Sequence, residues 1–77
     1  MHPHLAYDPK TDILYVYLDY NADFCHEVFV KLGHQGRFGE VCIDLDEHGR
    51  PLQFAITQAK EKYGDRLRGV DEVNPFM

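Results

Sequence analysis

IDLDEHGRPL, residues 43–52, sets Asp44, Asp46 and His48 at alternate positions ahead of Gly49. Its reading decides whether the middle of the chain is a metal loop or a hairpin. An EF-hand loop needs oxygen ligands at its first, third and fifth positions, glycine at the sixth and a bidentate glutamate at the twelfth. Counted from Asp44, the fifth residue is His48 and the twelfth is Ala55. The fifth position would then offer nitrogen to an oxygen-seeking ion, and the closing carboxylate is missing. A hairpin accounts for every residue: Asp46, Glu47 and His48 make a type I turn, and Gly49 takes the left-handed conformation of a closing bulge.

The flanks agree with a hairpin. Before the turn, Val41, Ile43 and Leu45 alternate with Cys42, Asp44 and Asp46, and after it Leu52, Phe54 and Ile56 repeat the alternation. That period of two is the mark of a half-buried strand. Toward the N-terminus, YDPKTD at 7–12 places Asp8 and Pro9 at the first two positions of a turn, where proline presets φ and the aspartate bonds nearby amides. A short strand precedes it, confined by Pro3 to an edge or a strand start. The strand that follows, Ile13 to Leu18, is apolar on both faces, with Leu14, Val16 and Leu18 on one and Ile13, Tyr15 and Tyr17 on the other. YNAD at 20–23 reads as a loop, and Cys25 to Leu32 as a third strand with Val28, Val30 and Leu32 against Glu27, Phe29 and Lys31. GHQGRFG at 33–39 is rich enough in glycine to invite a phosphate-cradling reading, but such loops lead into a helix and this one leads into a strand.

Thr57 is placed to cap a helix whose apolar stripe is Ala59, Tyr63, Leu67 and Val70, ended by Gly69, with no further element expected. The spacing therefore predicts an α+β fold: a small antiparallel sheet of four to five strands in hairpin or meander order, with one C-terminal helix packed on one face. The whole of residues 1–77 is one domain, and 71–77 is a C-terminal tail. Leu14, Val16, Leu18, Val28, Val30, Val41, Ile43, Leu45, Leu52, Phe54 and Ile56 are expected in the core, covered by Ala59, Tyr63 and Leu67.

Composition limits function. A chain of 77 residues buries only about 60% of its unfolded surface, which leaves no room for a deep enclosed active site. Its longest apolar run is far too short for a membrane span, and MHPHLAYD has neither the charged start nor the apolar stretch of a signal peptide. A cytoplasmic location, no membrane association and reduced thiols at Cys25 and Cys42 are expected. Residues 1–57 carry 4 basic and 9 acidic side chains, and the net charge is −5. Such a balance repels phosphate backbones and favours a basic protein partner over nucleic acid. Lys60, Lys62, Arg66 and Arg68 are interleaved with Glu61 and Asp65, as on a solvated helix face.

Little in the chain is equipped for catalysis. It contains no serine, which removes serine hydrolase chemistry, and Cys25 and His26 are strand neighbours that point to opposite faces. Cys42 shares a face with Asp44, which opposes thiolate formation. Asp44 and Asp46 lie on one side of a strand and read as two solvent-facing aspartates. His2 and His4 alternate as a chelating pair without further ligands, and His26, His34 and His48 have no metal-ligand spacing. No cofactor is expected. The alternative is a small metal-dependent hydrolase that uses Asp44, Asp46 and His48. Ile13, Tyr15, Tyr17, Phe29 and Cys42 project from the face away from the single helix, and an apolar patch of this kind predicts a homodimer through it.

The stretches YDPKTDILYVYL, VCIDLDEHGRPLQFAIT and the helix after them, in this order and spacing, resemble the bacterial domain-of-unknown-function family 2283. Tyr7, Asp8, Pro9, Asp12, Leu14, Tyr15, Asp44, Asp46, Gly49 and Arg50 match its motifs, while residues 20–40 are longer than in a typical member and FAITQA replaces its usual ending. The resemblance implies a small antiparallel sheet backed by one helix. It supplies no catalytic residue, and implies an antitoxin-like setting in which the domain is the partner of a short ribonuclease-like protein.

Overall fold

The computed structural model describes residues 4–18 and 23–72, with side chains through residue 70. Most of the loop expected at 20–23, the tail beyond residue 72 and His2 lie outside them. The strands are β1 (His4–Asp8), β2 (Ile13–Tyr17), β3 (His26–Lys31), β4 (Glu40–Leu45) and β5 (Pro51–Ile56), followed by the helix α1 (Ala59–Tyr63) and a two-residue strand β6 (Asp71–Glu72). They form one six-stranded sheet in the order β3-β4-β5-β2-β1-β6. All the pairings are antiparallel except β1 with β6.

The meander β3-β4-β5 is joined to the hairpin β1-β2 by pairing of β5 with β2, Val16 opposite Phe54. This places β2 inside the sheet, as a strand apolar on both faces requires. One row of facing side chains crosses the sheet as Val28, Ile43, Phe54, Val16 and Leu5, and the next as Val30, Val41, Ile56, Leu14 and Tyr7. The opposite face carries Phe29, Cys42, Ala55, Tyr15 and Ala6 in one row. A bulge sets Leu45 opposite Pro51, and the extra residue, Leu52, is buried with Ala6, Leu14 and Ala59.

The C-terminal segment departs from expectation in four ways. Gly64 stops α1 after five residues, and a 3-10 turn over Gly64–Leu67 follows in place of a continued stripe through Leu67 and Val70. Five helical residues reach about 8 Å, whereas five strands are about 19 Å across. A helix this short cannot roof the sheet, so Val28 and Val30, expected in the core, are 40% and 43% exposed. Thr57 does not cap the helix. Gln58 occupies that position at φ 52, with no side-chain hydrogen bond, while the Thr57 hydroxyl accepts the Glu40 N–H at 2.8 Å and donates to the Glu40 carbonyl at 3.2 Å. Finally, Asp71 and Glu72, where no further element was expected, form β6 as a parallel strand against β1.

The anchor of α1 comes from the other end of the chain. Asp8 accepts the Lys10 N–H (2.9 Å) on Oδ1 and the Thr11 hydroxyl (2.8 Å) on Oδ2. Its carbonyl accepts the Asp12 N–H at 2.8 Å, which closes the β1-β2 turn. Asp12 sits at φ 59, in the left-handed region, where aspartate is one of the few side chains tolerated. In that conformation its Oδ1 accepts the Tyr7 hydroxyl and the Lys60 N–H, and its carbonyl accepts the Ala59 N–H. Two of the helix's otherwise orphaned N–H groups are thus satisfied by one turn residue.

Candidate functional site

The β4-β5 turn is the hairpin the sequence predicts. The Gly49 N–H donates to the Asp46 carbonyl at 3.0 Å, and Gly49 stands at φ 77, a conformation that suits a residue without Cβ. Asp46 organises the turn: Oδ1 accepts the N–H groups of His48 (2.8 Å) and Arg50 (2.9 Å), and Oδ2 accepts Arg50 Nε at 2.7 Å. The aspartate is only 4% exposed, which corrects its reading as a solvent-facing carboxylate. The Arg50 N–H bond is the main cause that holds its pKa below the usual carboxylate range, with the guanidinium and the His48 N–H adding to it. A carboxylate so occupied has little left for an ion. The His48 imidazole lies instead beside Glu47, at 3.4 Å.

Asp44, Asp46 and His48 are not brought together. Among the described residues, the group of three ligating side chains with atoms within 4.8 Å of one another is Glu27, Cys42 and Asp44. The β3-β4 register builds it, with Glu27 directly opposite Asp44 and Phe29 opposite Cys42. Cys42 Sγ donates to Glu27 Oε2 at 3.2 Å and lies 3.9 Å from Asp44 Oδ1. Burial and the Glu27 carboxylate push the thiol up to about 12. Burial, then the charge of Glu27, also raises Asp44 above the ordinary range. A thiol held protonated is a poor nucleophile; the three groups form an acidic node, and among the described residues neither Glu27 nor Asp44 has a salt bridge. Sequence reasoning paired Cys42 with Asp44 and missed Glu27. The available signal was Lys31 and Glu40, opposite charges on either side of the glycine-rich turn, whose pairing sets Glu27 against Asp44.

The residues expected to form a dimer face do share one side of the sheet. Tyr15 and Tyr17 stack with ring centroids 5.9 Å apart, and burial, with Asp8 nearby, raises the Tyr15 phenol. Ala55 separates Tyr15 from Cys42. Ile13, Tyr15, Tyr17 and Cys42 are half-buried, whereas Phe29 is 58% exposed. Phe29 lies on β3, which is an edge strand exposed along all six of its residues.

The chain matches no family model, no curated protein and no solved structure.

At the end of the sheet beside β3, a cleft of about 560 Å³ opens between residues 23–25 and the β4-β5 turn. Phe24 on its wall is more than half exposed, and Asp46 and Arg50 on the other wall are already bonded to each other. No helix among the described residues is long and apolar enough to cross a membrane.

Proposed function

We propose that this chain is a non-enzymatic protein-interaction module whose docking element is β3. The observation that carries the reading is that an edge strand holds Val28, Phe29 and Val30 in solvent on both of its faces. An unpaired edge is a template for an added strand, with main-chain hydrogen bonds giving affinity and alternate side chains giving specificity. Of the residues expected at a homodimer interface, the most exposed one is on this strand, which moves the contact from the middle of the sheet to its edge. The acidic node at Glu27 and Asp44 suits a cationic group on whatever joins it, as for an antitoxin-like partner of a small basic protein. Membership of the domain-of-unknown-function family 2283 belongs to the same reading. A metal-dependent hydrolase is less well supported, because the Asp46 carboxylate is taken up by the turn it closes.

Affinity capture from a lysate of the source organism, with parent chain and a Val28→Lys/Val30→Lys variant immobilised side by side, tests the docking element. Proteins retained by the parent and lost by the folded variant support it. Identical profiles on the two matrices remove β3 from consideration.

A further inference from the structure

The two edges of the sheet are unlike. β6 is two residues long and offers little to pair with. β3 is six residues long, carries no proline and pairs with β4 without a register shift, so it has none of the bulges or proline blocks that usually protect an edge. Its sequence is HEVFVK, with Glu27, Phe29 and Lys31 on one face and Val28 and Val30 on the other.

Resting on the interaction-module reading, we propose that the occupant of this edge is a second copy of the chain, its β3 antiparallel to the first about a twofold axis through Phe29. Antiparallel pairing keeps opposed residues on the same face, which leaves few symmetric registers. With Val28 opposed to itself, Glu27 faces phenylalanine and His26 faces valine. With Val30 opposed to itself, Lys31 faces phenylalanine. With Phe29 opposed to itself, Glu27 meets the second copy's Lys31 twice over, and Val28 meets the second copy's Val30 twice over. That register alone matches charge to charge and valine to valine.

It also answers a defect inside the protomer. Glu27 stands opposite Asp44, a like-charge pair that is unfavourable when directly opposed, and among the described residues neither carboxylate has a salt bridge. The second copy's Lys31 arrives on the open side of Glu27 and supplies the missing cation. Each copy carries a net charge of −5, but such repulsion is screened beyond about 8 Å at physiological ionic strength. The groups that meet along the strand therefore decide the contact. The apolar rows of both sheets become continuous across the junction, and the exposed valines of each copy gain a neighbour on their open side.

Sedimentation equilibrium of the purified chain tests this with two charge variants. The parent is expected to be a dimer at ~50 µM. Glu27→Lys alone opposes lysine to lysine at both contacts, and Lys31→Glu alone opposes glutamate to glutamate, so each is expected as a folded monomer. A 1:1 mixture of the two variants restores both attractive contacts and is expected to sediment as a heterodimer. A monomeric parent, a dimeric Glu27→Lys, or a mixture that stays monomeric overturns the pairing. A monomeric parent whose lysate capture still depends on Val28 and Val30 would overturn the second copy while leaving the docking strand in place. Loss of that dependence as well would remove both.

Discussion

The Oδ1 of Asp12 accepts the backbone N–H of Lys60 at 2.9 Å, across 48 positions of the chain. The same oxygen accepts the Tyr7 hydroxyl at 2.6 Å, so a single carboxylate ties β1, the first turn and the start of α1 together. Tyr7 and Asp12 belong to the opening motif of the chain, yet one of their tasks is to hold its C-terminal helix.

Replacing Asp12 by alanine removes the acceptor of two hydrogen bonds and leaves a Cβ residue in the left-handed region without a compensating bond. A loss of about 2–4 kcal/mol is expected, combining backbone strain with unsatisfied donors. Asp12→Asn keeps an acceptor oxygen and tolerates the conformation, so it should lose less than half as much. Urea unfolding followed by circular dichroism gives both values, and equal losses for the two variants would mean that Oδ1 does not anchor the helix.

Two glycines separate backbone strain from crowding. A Cβ on Gly49, at φ 77, would meet nothing within 4 Å, whereas on Gly39, at φ 87, it would stand 2.3 Å from Thr57 Oγ1. Gly49→Ala should therefore cost only the left-handed conformation, about 1–2 kcal/mol. Gly39→Ala should cost more, because Thr57 must also give up its clasp on Glu40. A Gly39→Ala protein as stable as Gly49→Ala would show that the clasp contributes nothing.

Asp46 fixes the sign of the acid limb. Its folded pKa is lowered, so it contributes stability above its unfolded value, near pH 3.9, and loses that contribution as pH falls through the folded value. Asp44 is raised and acts in the opposite sense. Asp46→Asn should be less stable than the parent at pH 7, with the gap narrowing as the pH drops below about 4. Thermal melts from pH 7 to pH 2.5 measure the gap, and a constant difference over that range contradicts the assignment.

The two thiols should differ in reactivity. Cys25 is exposed, while Cys42 is held protonated to about 12 beside Glu27. At pH 8 a maleimide should label Cys25 faster by at least about tenfold, and Glu27→Gln should narrow the ratio. In stability the raised thiol contributes most below its unfolded value, near pH 8.5, and the contribution is lost as the pH climbs toward 12. Peptide mass spectrometry of timed samples reads the ratio, and equal labelling would contradict the placement of the acidic node.

The sequence by itself determined the local elements. Alternation of period two placed β4 and β5, Gly49 and Asp46 marked the turn between them, and the two apolar faces of Ile13–Tyr17 required an inner strand. These follow from spacing and from the few residues that tolerate a given φ, and need no knowledge of distant partners. The tertiary structure decided what depends on pairing across the chain. The β3-β4 register brought Glu27 to Cys42 and Asp44, the β2-β5 pairing fixed the strand order, and Asp12 rather than Thr57 received the helix. The short α1 is a mixed case: the sequence carries the glycine that stops it, Gly64, yet the apolar spacing through Leu67 and Val70 predicts a longer helix ended at Gly69. Only the assembled sheet shows that so short a helix leaves β3 in solvent, because coverage compares the length of one element with the width of five others.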